Sequence, residues 1–178
     1  MQIKNSQNRY GIVAIWLHWL MAILIIGLLA LGLYMVGVPL SHWKLKLYGW
    51  HKEFGMLVLL LLLLRLAWRL GNIIPLLPET IPRWQKRAAR VVHWLFYGFM
   101  IALPVSGWLI TSAAGLPVSF FGLFVLPNLV SPSENRLLLF TEVHEWLSYA
   151  LIATLCLHIL AALKHHFIDR DDTLKKIL

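Results

Sequence analysis

The stretch His144-Glu145-Trp146-Leu147-Ser148-Tyr149-Ala150-Leu151-Ile152-Ala153-Thr154-Leu155-Cys156-Leu157-His158 decides the reading of this chain. Two histidines stand fourteen residues apart in an otherwise mainly apolar run. Fourteen residues make nearly four helical turns, so both imidazoles project from one face, roughly 21 Å apart along the axis. A bilayer's hydrocarbon core is about 30 Å thick, which puts one histidine towards each side of it. An ionisable side chain inside a span is costly and marks function.

Working outward, the whole chain is apolar. Of its 178 residues 60% are hydrophobic and 13% charged, with a mean hydropathy of +0.73. That composition excludes an ordinary soluble domain and predicts an integral membrane protein. Four runs approach or exceed the ~20 residues a spanning helix needs: 11–36, 50–70, 91–112 and 144–164. The expected fold is an all-α, four-helix transmembrane bundle forming a single domain over 1–178. The start of the chain imitates a secretory leader, with Lys4 and Arg9 before an apolar run and Ala30-Leu31-Gly32 as a cleavage-like site. The run exceeds a leader's ~7–15 apolar residues and contains His18, so it is read as the first span.

Lysine and arginine set the orientation. Lys4, Arg9, Arg65, Arg69, Arg83, Lys86, Arg87, Arg90, Lys164, Arg170, Lys175 and Lys176 fall on one side, against Lys44, Lys46, Lys52 and Arg136 on the other. Both termini are therefore expected to be cytoplasmic. The net charge of +8 is this inner-face bias rather than a nucleic-acid patch. The single cysteine, Cys156, offers no disulfide framework.

The loops carry less. Val38–Gly49 forms a short outer loop, and the inner loop holds Pro75, Pro78 and Pro82 followed by the basic run from Arg83. The second outer loop, 113–142, contains Ser119–Leu126, too short to span and expected at the outer interface or over the bundle mouth. Pro104 is expected to kink the third span. His18-Trp19-Leu20 is echoed by His93-Trp94-Leu95, a faint sign of a duplicated helix pair.

Depth sorts the histidines. His51 and His144 lie near the outer ends of their spans, while His18 and His158 are each about 10 Å from the inner boundary by helical rise. Two imidazoles sharing one iron must stand at one height on opposite sides of a porphyrin. Depth matching pairs His51 with His144 and His18 with His158, with the shallower His93 as the rival to His18. The four predict two stacked haems, and with no Cys-x-x-Cys-His sequence these are b-type. Arg65, at the depth of His158, is a candidate partner for haem propionates or a snorkelling cation. His165 is a candidate quinone contact and proton donor, or a cation at a helix C-terminus. Lys44, Lys46, Lys52 and Arg136 could steer a small anion to the outer side, or be ordinary loop charges.

These residues resemble the bacterial cytochrome b561 family over nearly the whole chain. The likeness rests on His18-Trp19, Gly49-Trp50-His51, His93 followed by Ile101-Ala102-Leu103-Pro104-Val105-Ser106-Gly107, His144-Glu145 with His158, His165-His166, and Asp172-Thr173-Leu174. The resemblance implies a four-helix bundle in the bacterial inner membrane, with two haem b at His18, His51, His144 and His158. It also implies ubiquinone near His165, while His93 and Arg65 stand, by position, as further candidate quinone or propionate contacts. The expected activity is oxidation of superoxide to O2 at the periplasmic side with reduction of ubiquinone. The alternative is a cytochrome b anchor passing electrons between a partner dehydrogenase or hydrogenase and the quinone pool. A third class, a metal transporter using the same histidines, is disfavoured because, apart from Glu53, Glu142 and Glu145 at their outer ends, the spans lack carboxylates.

Overall fold

The computed structural model describes residues 2–76 and 81–178. Four long helices dominate: α1 (Ile12–Gly37), α2 (His42–Leu70), α3 (Arg83–Ala113) and α4 (Glu134–Lys164). Between α3 and α4 lies a small antiparallel hairpin, β1 (Val118–Phe120) and β2 (Phe124–Leu126), in the register Val118 to Leu126. After α4 the chain makes a π-helical turn over His165–Asp169 and a 3-10 turn over Leu174–Lys176.

Close packing joins successive helices, α1 to α2, α2 to α3 and α3 to α4. A core of Met21, Val58, Leu61, Leu62, Tyr97 and Met100 ties α1, α2 and α3 together. Met21, 1% exposed, makes α1 a structural member of the bundle. Elsewhere large apolar side chains point outward in large numbers, including Trp16, Ile23, Leu63, Trp94 and Leu157. A surface this apolar is stable against lipid and not against water.

Among the described residues, three helices are long and apolar enough to cross a membrane: α1, α3 and α4 with its π turn. The sequence reading counted four such runs. The fourth helix, α2, has comparable length, but its apolar stretch Met56–Leu64 is flanked by Lys52 and Glu53 before it and by Arg65 and Arg69 after it.

Boundaries differ from expectation at the polar ends. The first outer loop is mostly helix, because Ser41 caps α2 by accepting from the Lys44 amide at 3.2 Å, a strong start signal. The basic run from Arg83 belongs to α3 and not to the preceding loop. Pro82 stands at the helix cap, and lysine and arginine are good helix formers, so the helix begins before the hydrocarbon does. Pro78 lies outside the described residues. α3 continues unbroken through Pro104.

The Ser119–Leu126 segment folds as the hairpin, which hydropathy did not foretell. It packs on α2 and α3: Val118 is 2% exposed, and Phe121 meets Phe54 of α2 edge-on at 5.4 Å. Gly122, at φ +71°, supplies the left-handed turn that L side chains resist. The Trp108 indole donates to the Pro127 carbonyl at 3.0 Å, fixing the rest of the loop to α3. At the other end the C-terminal tail returns to the start of α1. There the Trp19 indole donates to the Ile177 carbonyl at 2.9 Å, and the Tyr10 amide to that of Lys176 at 3.3 Å.

Candidate functional site

Towards the outer end, His51 of α2 and His144 of α4 face one another, ring centres 6.2 Å apart and planes at 69°. Their helices are not among the closely packed pairs, so the rings meet across an interval rather than a tight seam. His144 is held by α3. Its Nδ1 lies 2.8 Å from Ser106 Oγ, while that hydroxyl donates to the Leu103 carbonyl at 2.9 Å. With the hydroxyl proton committed, the imidazole must be the donor. His144 therefore carries its proton on Nδ1 and leaves the Nε2 lone pair free.

Glycines flank both rings. A Cβ at Gly32 would stand 3.3 Å from His51 Cε1, and one at Gly107 3.5 Å from His144 Cε1. His51 Nδ1 is buried with no hydrogen-bond partner, and an orphaned buried polar atom calls for an explanation. An imidazole nitrogen binds a metal at roughly 2 Å, so two rings on one ion have centres about 6 Å apart. The observed spacing, the oriented His144 tautomer and the bare glycine edges fit a flat, metal-centred group held between two histidines.

The inner cluster is more crowded. The His158 ring meets His93 at 5.8 Å and Phe96 at 5.2 Å. His93 Nδ1 donates to the Ala89 carbonyl at 2.7 Å, leaving its Nε2 unprotonated. His18, from α1, lies within electrostatic reach of both His158 and His93. Its Nδ1 accepts from Arg65 Nη2 at 3.2 Å, because a guanidinium can only donate. The structure thus gathers His18, Arg65, His93 and His158 into one cluster and brings His93 directly onto His158. His18 and His158 are half-buried and His93 is exposed. One turn beyond Arg65, Arg69 lies over the Tyr97 ring at 5.7 Å.

At the end of α4 His165 turns into a polar knot. Its Nδ1 is 2.6 Å from Asp171 Oδ2 and 3.2 Å from Asp169 Oδ2, and its side chain is only 15% exposed. Among the candidate steering residues, Lys44 donates to the Val36 carbonyl at 3.4 Å and lies 5.8 Å from the Tyr48 ring centre. Arg136 donates to Ser131 Oγ at 2.7 Å. Lys44, Lys46 and Lys52 share the outer half of α2, while Arg136 opens α4.

Sequence reading passed over Ser106, Gly107, Gly32 and Asp171 as functional residues. Ser106 and Gly107 were in view within the Leu103–Gly107 motif, but only the tertiary fold shows that the motif faces His144.

A membrane helical bundle with facing imidazoles inside it defines the class of b-type membrane cytochromes. The chain belongs to the prokaryotic cytochrome b561 family, which matches residues 9–178. It is 36% identical to "Cytochrome b561 homolog 2" of Escherichia coli K12, over 100% of this chain and 95% of that protein. Identity to "Cytochrome b561 homolog 1" of the same organism is 31%, over 96% and 97%. A "Probable superoxide oxidase CybB" of Yersinia pestis is 27% identical over 96% of each chain. The chain is accordingly a multi-pass bacterial membrane protein that binds haem b and transfers electrons.

Proposed function

We propose that this chain holds two b haems, the outer between His51 and His144 and the inner between His18 and His158. In this reading it resides in the inner membrane, oxidises superoxide at the periplasmic face and reduces ubiquinone at the cytoplasmic face. The observation that carries the proposal is the outer pair, 6.2 Å apart with His144 oriented by Ser106. When bound, the haems supply one-electron relays whose potentials respond to ligand, burial and nearby charge.

The protein's own part follows from its side chains. Bis-histidine ligation leaves no open iron position, which favours outer-sphere electron transfer over oxygen chemistry at the metal. Lys44, Lys46, Lys52 and Arg136 give the outer end a positive potential that raises the local concentration of a small anion. For the inner pair, depth and half-burial favour His18 over the exposed His93. Ligation through His18 Nε2 requires its proton to leave that nitrogen and Arg65 to release Nδ1, freeing Arg65 for the propionates. The net reaction takes two superoxide anions and one ubiquinone with two protons to two O2 and one ubiquinol.

A second reading, a cytochrome b anchor for a partner dehydrogenase or hydrogenase, keeps the same haem sites. It has in its favour that two relatives above 30% identity are named as cytochrome b561 homologues.

The test is haem content per polypeptide by pyridine haemochrome, followed by stopped-flow mixing with superoxide and ubiquinone. Two b haems and rapid turnover support the proposal. Two haems without superoxide turnover, and a redox subunit that co-purifies, support the anchor. A folded protein without haem removes both.

A further inference from the structure

We propose that Asp171 is the positioning residue of a proton-delivering imidazole–carboxylate pair, with His165 as the donor to the quinone. The inference rests on the quinone reading above and adds to it the group that orients and recharges the donor.

The chain after α4 is shaped around this pair. The π-helical turn His165–Asp169 ends at Arg170, which adopts a left-handed conformation at φ 53°. That reversal brings the Asp171 amide back to donate to the His165 carbonyl at 3.1 Å. It also brings the Asp171 carboxylate onto the His165 ring, with Nδ1 to Oδ2 at 2.6 Å. The second carboxylate oxygen accepts the Thr173 amide at 2.8 Å. A non-glycine residue held in the left-handed region costs free energy and persists where its surroundings impose it.

Asp169 is the rival carboxylate, and the geometry separates the two. Asp169 is engaged by Lys164 Nζ at 2.5 and 2.7 Å, stands farther from His165 at 3.2 Å and is 30% exposed. Asp171 is 13% exposed, with His165 as its side-chain partner. Burial alone would raise the Asp171 carboxyl, but hydrogen bonds from Thr173 and His165 outweigh it and hold the group below its ordinary range. Asp171 is therefore an anion at neutral pH. An anion on Nδ1–H fixes that tautomer and turns Nε2 away from the carboxylate.

The step balances simply. The quinone takes up two electrons and two protons to give the quinol. As the imidazolium, His165 gives its Nε2 proton to one quinone carbonyl oxygen and is left neutral with Nδ1–H on Asp171, while the second proton reaches the other oxygen from water. The ring is recharged from water at the inner surface, and Asp171 stabilises the imidazolium that forms.

The experiment uses the haem-loaded protein reduced beforehand, mixed in stopped flow with ubiquinone-1 or with ferricyanide, which takes electrons without protons. In D171N, haem reoxidation by ubiquinone-1 is expected to slow about ten- to a hundredfold, with half-saturation by quinone little changed. Reoxidation by ferricyanide stays at the wild-type rate, and D171E recovers most of the loss. Equal quinone rates in D171N and wild type overturn the inference, as does a parallel loss with ferricyanide. Failure of the wild-type protein to be reoxidised by ubiquinone-1 removes the quinone reading itself. If neither variant retains haem, the wild-type rates in D2O decide. Slowing with ubiquinone-1 but not with ferricyanide supports the pair, and the absence of slowing with ubiquinone-1 overturns it.

Discussion

Ser106 on α3 accepts a hydrogen bond from the His144 ring on α4, Oγ to Nδ1 at 2.8 Å, and passes its own proton to the Leu103 carbonyl. Relays of this kind set which imidazole nitrogen meets a metal. Ser106→Ala deletes the acceptor and leaves a half-buried N–H unpaired. We expect haem affinity at the outer site to fall about ten- to a hundredfold, read by haem titration of the apoprotein. Unchanged affinity would show that helix packing alone orients His144.

Gly32 makes a complementary case on the opposite side of the outer pair. A Cβ there approaches His51 Cε1 to 3.3 Å, closer than a ring can easily accept, and a branched side chain adds two more carbons. Gly32→Val is expected to displace the His51 ring and halve the haem per polypeptide while the bundle still inserts. Retention of both haems would mean that His51 has room to move, and with it that the glycine is not part of the cradle.

The fold was legible in the sequence wherever one property dominated. The apolar runs gave the helices to within a residue at both ends of α1, since nothing polar competes there. Errors fell where polar chain is also helical: Ser41 extends α2 outward and Pro82 starts α3 early. The hairpin was hidden because Phe120, Phe121 and Phe124 look like membrane-surface residues until Phe54 meets Phe121 and Phe120 packs on both Phe121 and Phe124. For the site, helical rise sorted the histidines by depth but said nothing of azimuth. That is why the contact of His93 with His158, and of Asp171 with His165, emerged only in three dimensions.

Outer charge offers a kinetic prediction. Lys44, Lys46 and Lys52 lie on one helix end, and a focused positive potential accelerates the encounter of an anion without changing the chemistry. Replacing all three by glutamine is expected to slow superoxide-driven haem reduction about tenfold at low salt and to flatten its salt dependence. Haem content and the rate of quinone reduction from the reduced protein stay as they were. An unchanged superoxide rate would remove steering from the account and shift weight to a protein electron donor.

The inner pair gives the sharpest choice, because two histidines compete for one partner. His93 has the shorter approach to His158 and a free Nε2 by virtue of its bond to Ala89. His18 has depth in the span and half-burial, and its neighbour Arg65 is a cation suited to the anionic edge of a haem. Exposure decides between them: His93 is exposed and His18 half-buried, and a ligand must sit where the porphyrin is shielded. We therefore expect His18→Ala to lose one of two haems and His93→Ala to keep both. His93→Ala would shift only the potential of the inner haem, through lost packing on the His158 ring. Pyridine haemochrome counts the haems and a redox titration reads the shift. Loss of one haem in His93→Ala, with both kept in His18→Ala, would transfer the inner site to α3 and α4.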